Sequence, residues 1–285
     1  MQEVWQSFAD GWRTLHRNWI LVWFPFLIVL GLALLLIMIV VGMALSSGGL
    51  RHLSDLDRLY WSEAVLLIRR FAFLAVLVFL AAMAVLAGQA NMYACASAGE
   101  PATIGHFFDG IRRMYWRFLG GNLLLAAAGF VFTVIFFGGL MQQLWFHLQS
   151  NPRLDMGALF AWALSTAPLA IAGWVLFLVA GILLSMWTKL VAIEDLSATS
   201  AILGSVRLVV AQLGPFLALS VISWLASRIL QGFGDSGGLA SLLTSLAEVI
   251  WATYYQLVLF IFYRKITGTP SEQPPETTVP PLLEA

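Results

Sequence analysis

Six long apolar stretches alternate with shorter polar segments along the chain. A helix that crosses a membrane needs about 20 mostly apolar residues, and the stretches have about that length or more. They cover residues 19–45, 71–95, 118–141, 168–191, 214–230 and 241–263. The pattern predicts an all-α fold: a polytopic membrane helical bundle with six transmembrane helices.

The segment ahead of the first apolar stretch has a two-sided pattern. Its apolar residues recur three and four positions apart, at Trp5, Phe8, Trp12, Leu15 and Trp19. Polar and charged residues follow the same spacing on the opposite side of the helix. Such a period is typical of an amphipathic helix in the headgroup region of a membrane. We therefore predict an interfacial helix at the N-terminus.

A short phrase in this segment returns twice. FADGWR at 8–13 is echoed by FFDGIRR at 107–113 and, more weakly, by ILGSVR at 202–207. Each copy is followed by an apolar stretch. The echoes predict that each repeat unit contains an interfacial helix followed by two spans. The units of this single membrane domain, 1–266, are 1–97, 98–193 and 194–266.

Two spans return a chain to the side on which it started, so all interfacial helices are expected on one face. We call these segments, 1–17, 98–117 and 195–207, the collar. The tail, 267–285, is rich in Pro, Thr and Glu, and we predict that it is disordered. A surface helix is expected from about Ser54, and another that Asp155 caps.

Composition agrees with a membrane protein and limits the chemistry. Sixty per cent of the 285 residues are hydrophobic and 11% are charged, against about 25% charged in soluble domains. Fifteen basic and fifteen acidic residues balance, which gives no sign of nucleic-acid binding. The single cysteine, Cys95, is interpreted as a packing residue, and the four histidines are scattered. With no catalytic motif in the sequence, we predict no enzyme activity, cofactor or metal site.

Basic residues are unevenly divided between the two faces of this topology. The collar face, with both termini, has nine Lys and Arg residues and the other face has six. Excess positive charge is typical of the cytoplasmic side, so both termini are predicted inside. Four collar arginines are candidate contacts for lipid headgroups, because a guanidinium fork suits a phosphate. They are Arg13, Arg112, Arg113 and Arg207.

Ionisable side chains inside spans are costly and mark candidate sites. Arg228 lies in the fifth stretch and Glu248 in the sixth, both in the outer third of the membrane. They form a candidate intramembrane polar pair, read either as a structural ion pair or as part of a transport path. Glu194 and Asp195 follow the fourth stretch and are candidate structural acids, and the partner of Arg207 is either one of them or a lipid headgroup.

The segment IEDLSATSAILGSVRLVVAQLGPFLAL, 193–219, carries a resemblance. It resembles a family of uncharacterised prokaryotic six-span membrane proteins, similar to the membrane domain attached to some glycerophosphodiester phosphodiesterases. The acidic residues after the fourth stretch match the family pattern, as do Ser205, Leu208 and Val209. Ala198 departs from it, since a polar residue is usual there. The resemblance implies a prokaryotic plasma membrane and no transferable reaction.

Two functions remain open. The first is a non-enzymatic, lipid-proximal scaffold or an accessory subunit of a membrane complex. Its partners would be membrane lipids, other proteins or a second copy of the chain. The alternative is a permease or a small-solute or lipid transporter that uses Arg228 and Glu248. A cavity that reaches the membrane midplane beside Glu248 and Tyr254 or Tyr255 would favour transport.

Overall fold

The computed structural model describes residues 2–46, 61–150, 156–234 and 239–269, and all the regular structure in these ranges is α-helical. The predicted surface helix from Ser54 begins outside them, and Asp155 and most of the predicted tail also lie outside. The helices are α1 (Gln2–Arg17), α2 (Ile20–Ser46), α3 (Trp61–Ser97), α4 (Ile104–Ser150), α5 (Met156–Leu183), α6 (Trp187–Glu194), α7 (Ala198–Ala211), α8 (Leu213–Gly234) and α9 (Leu239–Thr267).

The predicted fold class is confirmed, because six helical segments are long and apolar enough to cross a membrane. These indicate a multi-pass membrane protein. The segments are Ile20–Ile39, Ala72–Ser97, Ile104–Gly138, Ile171–Glu194, Leu213–Gly232 and Leu243–Thr267.

Helix ends differ from the sequence pattern in two places. The second collar segment does not form a separate helix, since α4 continues from Ile104 through the third span. The fourth span is interrupted by a turn between Leu183 and Trp187, which separates α5 from α6. Pro25 leaves α2 intact, and the chain instead bends just ahead of α2, at Asn18–Trp19.

The chain divides into two compact units. One comprises Met1–Tyr115 with Ser223–Ala285, and the other comprises Trp116–Ile222. In the first unit α9 is central, because seven consecutive residues, 257–263, are buried. A helix that is covered on every side has neighbours all round, and here α1, α2 and α3 pack against it.

The helix α1 packs on α9 through a buried face that contains two small residues, Ser7 and Gly11. Val4, Ser7, Gly11 and Leu15 are buried, whereas Trp5 and Trp12 are 62% and 54% exposed. A Cβ atom at Gly11 would lie 2.7 Å from the Val258 side chain, so glycine permits this close approach. The exposed tryptophans are left on a neighbouring face, as expected for an interfacial helix.

In the second unit, a serine of α7 accounts for the interruption of the fourth span. The Ser205 hydroxyl is buried and donates to the Leu183 carbonyl at 2.7 Å. It also accepts from the Met186 amide at 3.1 Å. A broken helix leaves backbone groups without intrahelical partners, and this hydroxyl satisfies one at each side of the turn.

The buried positions of the collar fall at matching places of the repeated phrase. Gly11, Gly110 and Ser205 align in the three copies, and all are buried. Four residues later, Leu15, Met114 and Val209 also align and are buried. The phrase therefore marks a small residue and an apolar residue that face neighbouring helices. The triplication itself stays a prediction.

Candidate functional site

A cavity of about 540 Å³ lies in the first unit, where the polar face of α1 meets the ends of α3 and α9. We call it the collar cavity. Helix α1 contributes one wall, the turn after α3 a second, and the C-terminal end of α9 the third. Its lining residues are Asp10, Arg13, Thr14, Arg17, Ala96, Ser97, Ala98, Gly99, Ile261, Arg264, Lys265, Gly268 and Thr269.

The cavity is strongly basic. Four cationic side chains and one carboxylate line it, which leaves three positive charges in excess. The carboxylate of Asp10 lies 2.7 Å from the Lys265 ammonium group and 3.5 Å from the Arg13 guanidinium group. Asp10 therefore compensates mainly Lys265, and the Arg13 side chain remains 76% exposed.

Two of the arginines have different roles. Arg264 donates through Nε to the Ser97 hydroxyl at 2.9 Å and through Nη2 to the Ala94 carbonyl at 3.1 Å. It thereby caps the C-terminal end of α3, where carbonyl groups lack intrahelical partners. The Arg17 side chain has neither a hydrogen bond nor an ion pair to any residue in the described part of the chain. Its guanidinium group is available to an anion in the cavity.

The predicted headgroup arginines are only partly brought together. All four are exposed, but only Arg13 lines the collar cavity. Arg112, Arg113 and Arg207 lie outside its lining. Sequence reasoning did not single out Arg17 or Lys265 as site residues. Arg17 shares the charged side of the N-terminal helix with Asp10 and Arg13, whereas no local pattern marks Lys265. Lys265 meets Asp10 across 255 residues of sequence.

One of the predicted structural acids has a partner that the sequence did not indicate. Asp195 accepts through its carboxylate and its carbonyl from the Arg117 guanidinium group. Asp195 ends α6 in the left-handed region, at φ 57°. This conformation turns the residue out of the helix, where Arg117 reaches it. Glu194 is exposed at the last position of α6.

A second cavity, of about 310 Å³, lies between α8 and α9. We call it the α8–α9 groove. Glu248 lines it, as does Tyr255, which lies near the middle of the sixth apolar segment. The remaining lining residues are Ser223, Ser227, Gln231, Trp251, Ala252 and Gln256.

The predicted pair of Arg228 and Glu248 does not form within the described residues. The Arg228 guanidinium carbon lies 5.8 Å from the centre of the Trp224 ring, which is a cation–π contact. The groove-lining residues of α8, Ser223, Ser227 and Gln231, recur every four positions and share one face. Arg228 is rotated by about 100° from Ser227, because an α-helix has 3.6 residues per turn. It therefore lies on another face.

Three side chains that the sequence left unconnected meet at the turn between α3 and α4. One donor atom each from Cys95, Glu100 and His106 lies within 4.8 Å of the other two. The four histidines are scattered along the sequence, and the fold brings one of them, His106, near two other potential ligand residues. Cys95 and His106 are 11 residues apart, and the turn between α3 and α4 brings them together.

A family model, described as Domain of unknown function (DUF7847), matches residues 2–270. The chain belongs to the DUF7847 family. The matched range includes the collar and all six apolar segments, so the DUF7847 domain spans both compact units. The match shows no link to glycerophosphodiester phosphodiesterases. Searches of the curated proteins and of the solved structures give no match to this chain.

Proposed function

We propose that this DUF7847 protein is a non-enzymatic, lipid-proximal membrane scaffold whose collar cavity holds the phosphate of an anionic lipid headgroup. The observation that carries the proposal is the excess of three positive charges in a cavity at the ends of apolar helices. Cationic side chains that line one cavity repel each other, and a phosphate relieves that repulsion.

The position of the cavity favours a lipid over a soluble anion. Trp12 lies on the same helix as Arg13 and Arg17, and it is exposed, as is Trp5. Tryptophan side chains concentrate at the headgroup level of a membrane. A cavity beside them would open where lipid phosphates are most abundant, and the excess of basic residues on the collar face favours the cytoplasmic leaflet.

Within the cavity, two cationic residues are held by contacts within the protein and two are available to a ligand. Arg264 is occupied by Ser97 and the Ala94 carbonyl, and Lys265 by Asp10. These contacts build the cavity wall and fix two charges in it. Arg13 and Arg17 keep donors for a ligand, and a guanidinium fork can bind a phosphate through two parallel hydrogen bonds.

A scaffold that holds an anionic lipid could present it to a partner protein, which agrees with an accessory role in a complex.

Arg17→Gln is expected to weaken binding of phosphatidylglycerol about tenfold, since a hydrogen bond to a charged group contributes about 1.5–3 kcal/mol. Native mass spectrometry of the detergent-purified protein, titrated with the lipid, measures the change. Arg112→Gln is the matched control, because Arg112 is an exposed collar arginine outside the cavity. It should bind within about twofold of the wild type.

Two results would contradict the proposal. An equal loss of affinity in both variants would show diffuse attraction by the collar rather than a site. Competition by inorganic phosphate as strong as that by the lipid would show that the ligand is a free anion.

One observation favours transport as a second candidate function. The α8–α9 groove holds the Glu248 carboxylate and extends to Tyr255, near the middle of the sixth apolar segment. An ionisable group in a polar groove between spans is typical of proton or substrate pathways.

Under this alternative, Glu248→Gln should abolish proton flux into proteoliposomes with an imposed pH gradient, followed by an internal pH-sensitive dye. Arg228→Gln should leave the flux unchanged, because Arg228 lies outside the groove lining. Wild-type vesicles as tight to protons as empty ones would eliminate this alternative.

A further inference from the structure

We infer that Cys95, Glu100 and His106 bind a divalent metal ion of the zinc class at the turn between α3 and α4. Their sulfur, oxygen and nitrogen donor atoms lie within 4.8 Å of one another. The inference is independent of the headgroup proposal, since none of the three residues lines the collar cavity.

The turn holds the three residues in place through its backbone. Cys95 lies in the last turn of α3, and its carbonyl accepts from the amides of Ala98 at 3.0 Å and Glu100 at 3.1 Å. Gly99 adopts a φ of 95°, which favours glycine and lets the chain reverse. Glu100 is thereby carried back toward the thiol.

His106 is fixed just as firmly at the start of α4. Its amide donates to the Thr103 hydroxyl at 3.3 Å, which caps the helix. Its carbonyl accepts from the Asn91 side chain of α3 at 2.7 Å. The imidazole is therefore positioned by contacts that do not use the ring. Preorganised donors of this kind reduce the entropy lost when an ion binds.

A second observation points to a ligand. The Nδ1 atom of His106 is shielded from solvent and has no hydrogen-bond partner among the described residues. A buried polar atom without a partner is costly, and most such atoms in folded proteins are satisfied. A metal ion between the three side chains would give this nitrogen the partner that it lacks.

The donor set selects the class of ion. Thiolate and imidazole ligands favour Zn²⁺ and similar ions, whereas Mg²⁺ and Ca²⁺ prefer oxygen ligands. Zinc bonds of about 2.0–2.3 Å place the donor atoms of a tetrahedral site roughly 3.3–3.8 Å apart. Donor atoms that lie 4.8 Å apart must therefore approach each other by about 1 Å when the ion binds. Rotation of the Glu100 carboxylate and the Cys95 thiol supplies such a movement. Three protein ligands leave one position for water.

The charge balance also suits a divalent cation. Binding converts the Cys95 thiol to a thiolate and releases one proton to solvent. The thiolate and the Glu100 carboxylate then neutralise the two positive charges of the ion. The empty site carries one negative charge, on Glu100, and the metal-bound site is neutral.

Alkylation of the thiol tests the inference on the folded, full-length protein without an affinity tag. Cys95 is the only cysteine, so a maleimide reports on it alone. After treatment with a chelator and its removal, one equivalent of Zn²⁺ should slow alkylation at least tenfold, and Mg²⁺ should not. His106→Gln should lose the protection, whereas His16→Gln, an exposed histidine on α1, should keep it.

Cobalt substitution supplies a second readout. Co²⁺ added to the chelator-treated wild type should give a thiolate charge-transfer absorption with a stoichiometry of one ion per chain. Cys95→Ala should lack this absorption while eluting as a monodisperse species in gel filtration. The inference is overturned if Zn²⁺ does not slow alkylation of the wild type. Equal protection in His106→Gln would overturn it as well.

Discussion

Gly110→Val is expected to destabilise the protein by about 3 kcal/mol, the upper end of the usual cost of overpacking. A Cβ atom at Gly110 would lie 2.7 Å from the carbonyl oxygen of Ala87 and 2.6 Å from Cβ of Asn91. Neither atom is the end of a flexible side chain, so α3 and α4 must move apart. The measurement is the thermal unfolding midpoint in one detergent, followed by gel filtration with fluorescence detection.

Gly129→Val is the matched control for this effect. Gly129 lies in the same helix, α4, and a Cβ atom there would meet no atom within 4 Å. Its free energy of unfolding is expected within about 0.5 kcal/mol of the wild-type value. Its thermal midpoint should therefore be close to that of the wild type. If the two variants had equal midpoints, the close approach of α3 and α4 at Gly110 would be refuted.

Asn18→Leu is expected to cost about 1–3 kcal/mol, because it leaves a buried amide without an acceptor. Asn18 is only 9% exposed. Its side-chain oxygen accepts from the Ala102 amide at 2.8 Å, and its side-chain nitrogen donates to the Thr14 carbonyl at 3.0 Å. One side chain thus joins the bend between α1 and α2 to the turn ahead of α4.

Amide hydrogen exchange locates the effect of Asn18→Leu. Exchange should accelerate in peptides that contain Ala102 as well as in α1. In the control, Asn122→Leu, the lost side-chain bond goes only to the Phe118 carbonyl of the same helix, so those peptides should be unaffected. Unchanged exchange at Ala102 in Asn18→Leu would show that the bond contributes nothing.

The sequence was informative where its patterns are local. Membrane spans depend on runs of apolar residues, and all six were located from those runs. The sequence also showed the amphipathic pattern of α1, but it did not show which residues of α1 form the face that packs against another helix. Val4, Ser7 and Gly11 form that face, and two of them are small residues that carry little hydropathy signal. Their importance appears only when α9 is placed against them.

The candidate sites depend on contacts between distant parts of the chain. Asp10 and Lys265 are 255 residues apart, and Asn18 and Ala102 are 84 residues apart. No periodicity relates such positions, because the packing of the helices brings them together. The repeated phrase was the sequence feature that gave the most information about helix contacts, since its glycine and serine positions are buried. It indicated where helices meet without indicating which helices.

The predicted Arg228–Glu248 pair failed for a related reason. Position along a span predicts depth in the membrane, and it predicts similar depths for the two residues. Pairing also requires the correct rotation of each helix. Arg228 lies on the Trp224 face, while Ser227 and Gln231 face the groove with Glu248. Hydropathy contains no information about that rotation when a helix has polar residues on two faces.

Photocrosslinking tests the central claim, a headgroup site in the collar cavity, most directly. A phosphatidylglycerol analogue with a photoreactive headgroup is incorporated with the wild-type protein into nanodiscs, irradiated, and mapped by peptide mass spectrometry. The account predicts adducts on the cavity segments 10–17, 96–99 and 261–269. Arg13→Gln combined with Arg17→Gln should remove them. Adducts spread evenly over Arg112, Arg113 and Arg207, and unaltered in that double variant, would contradict it.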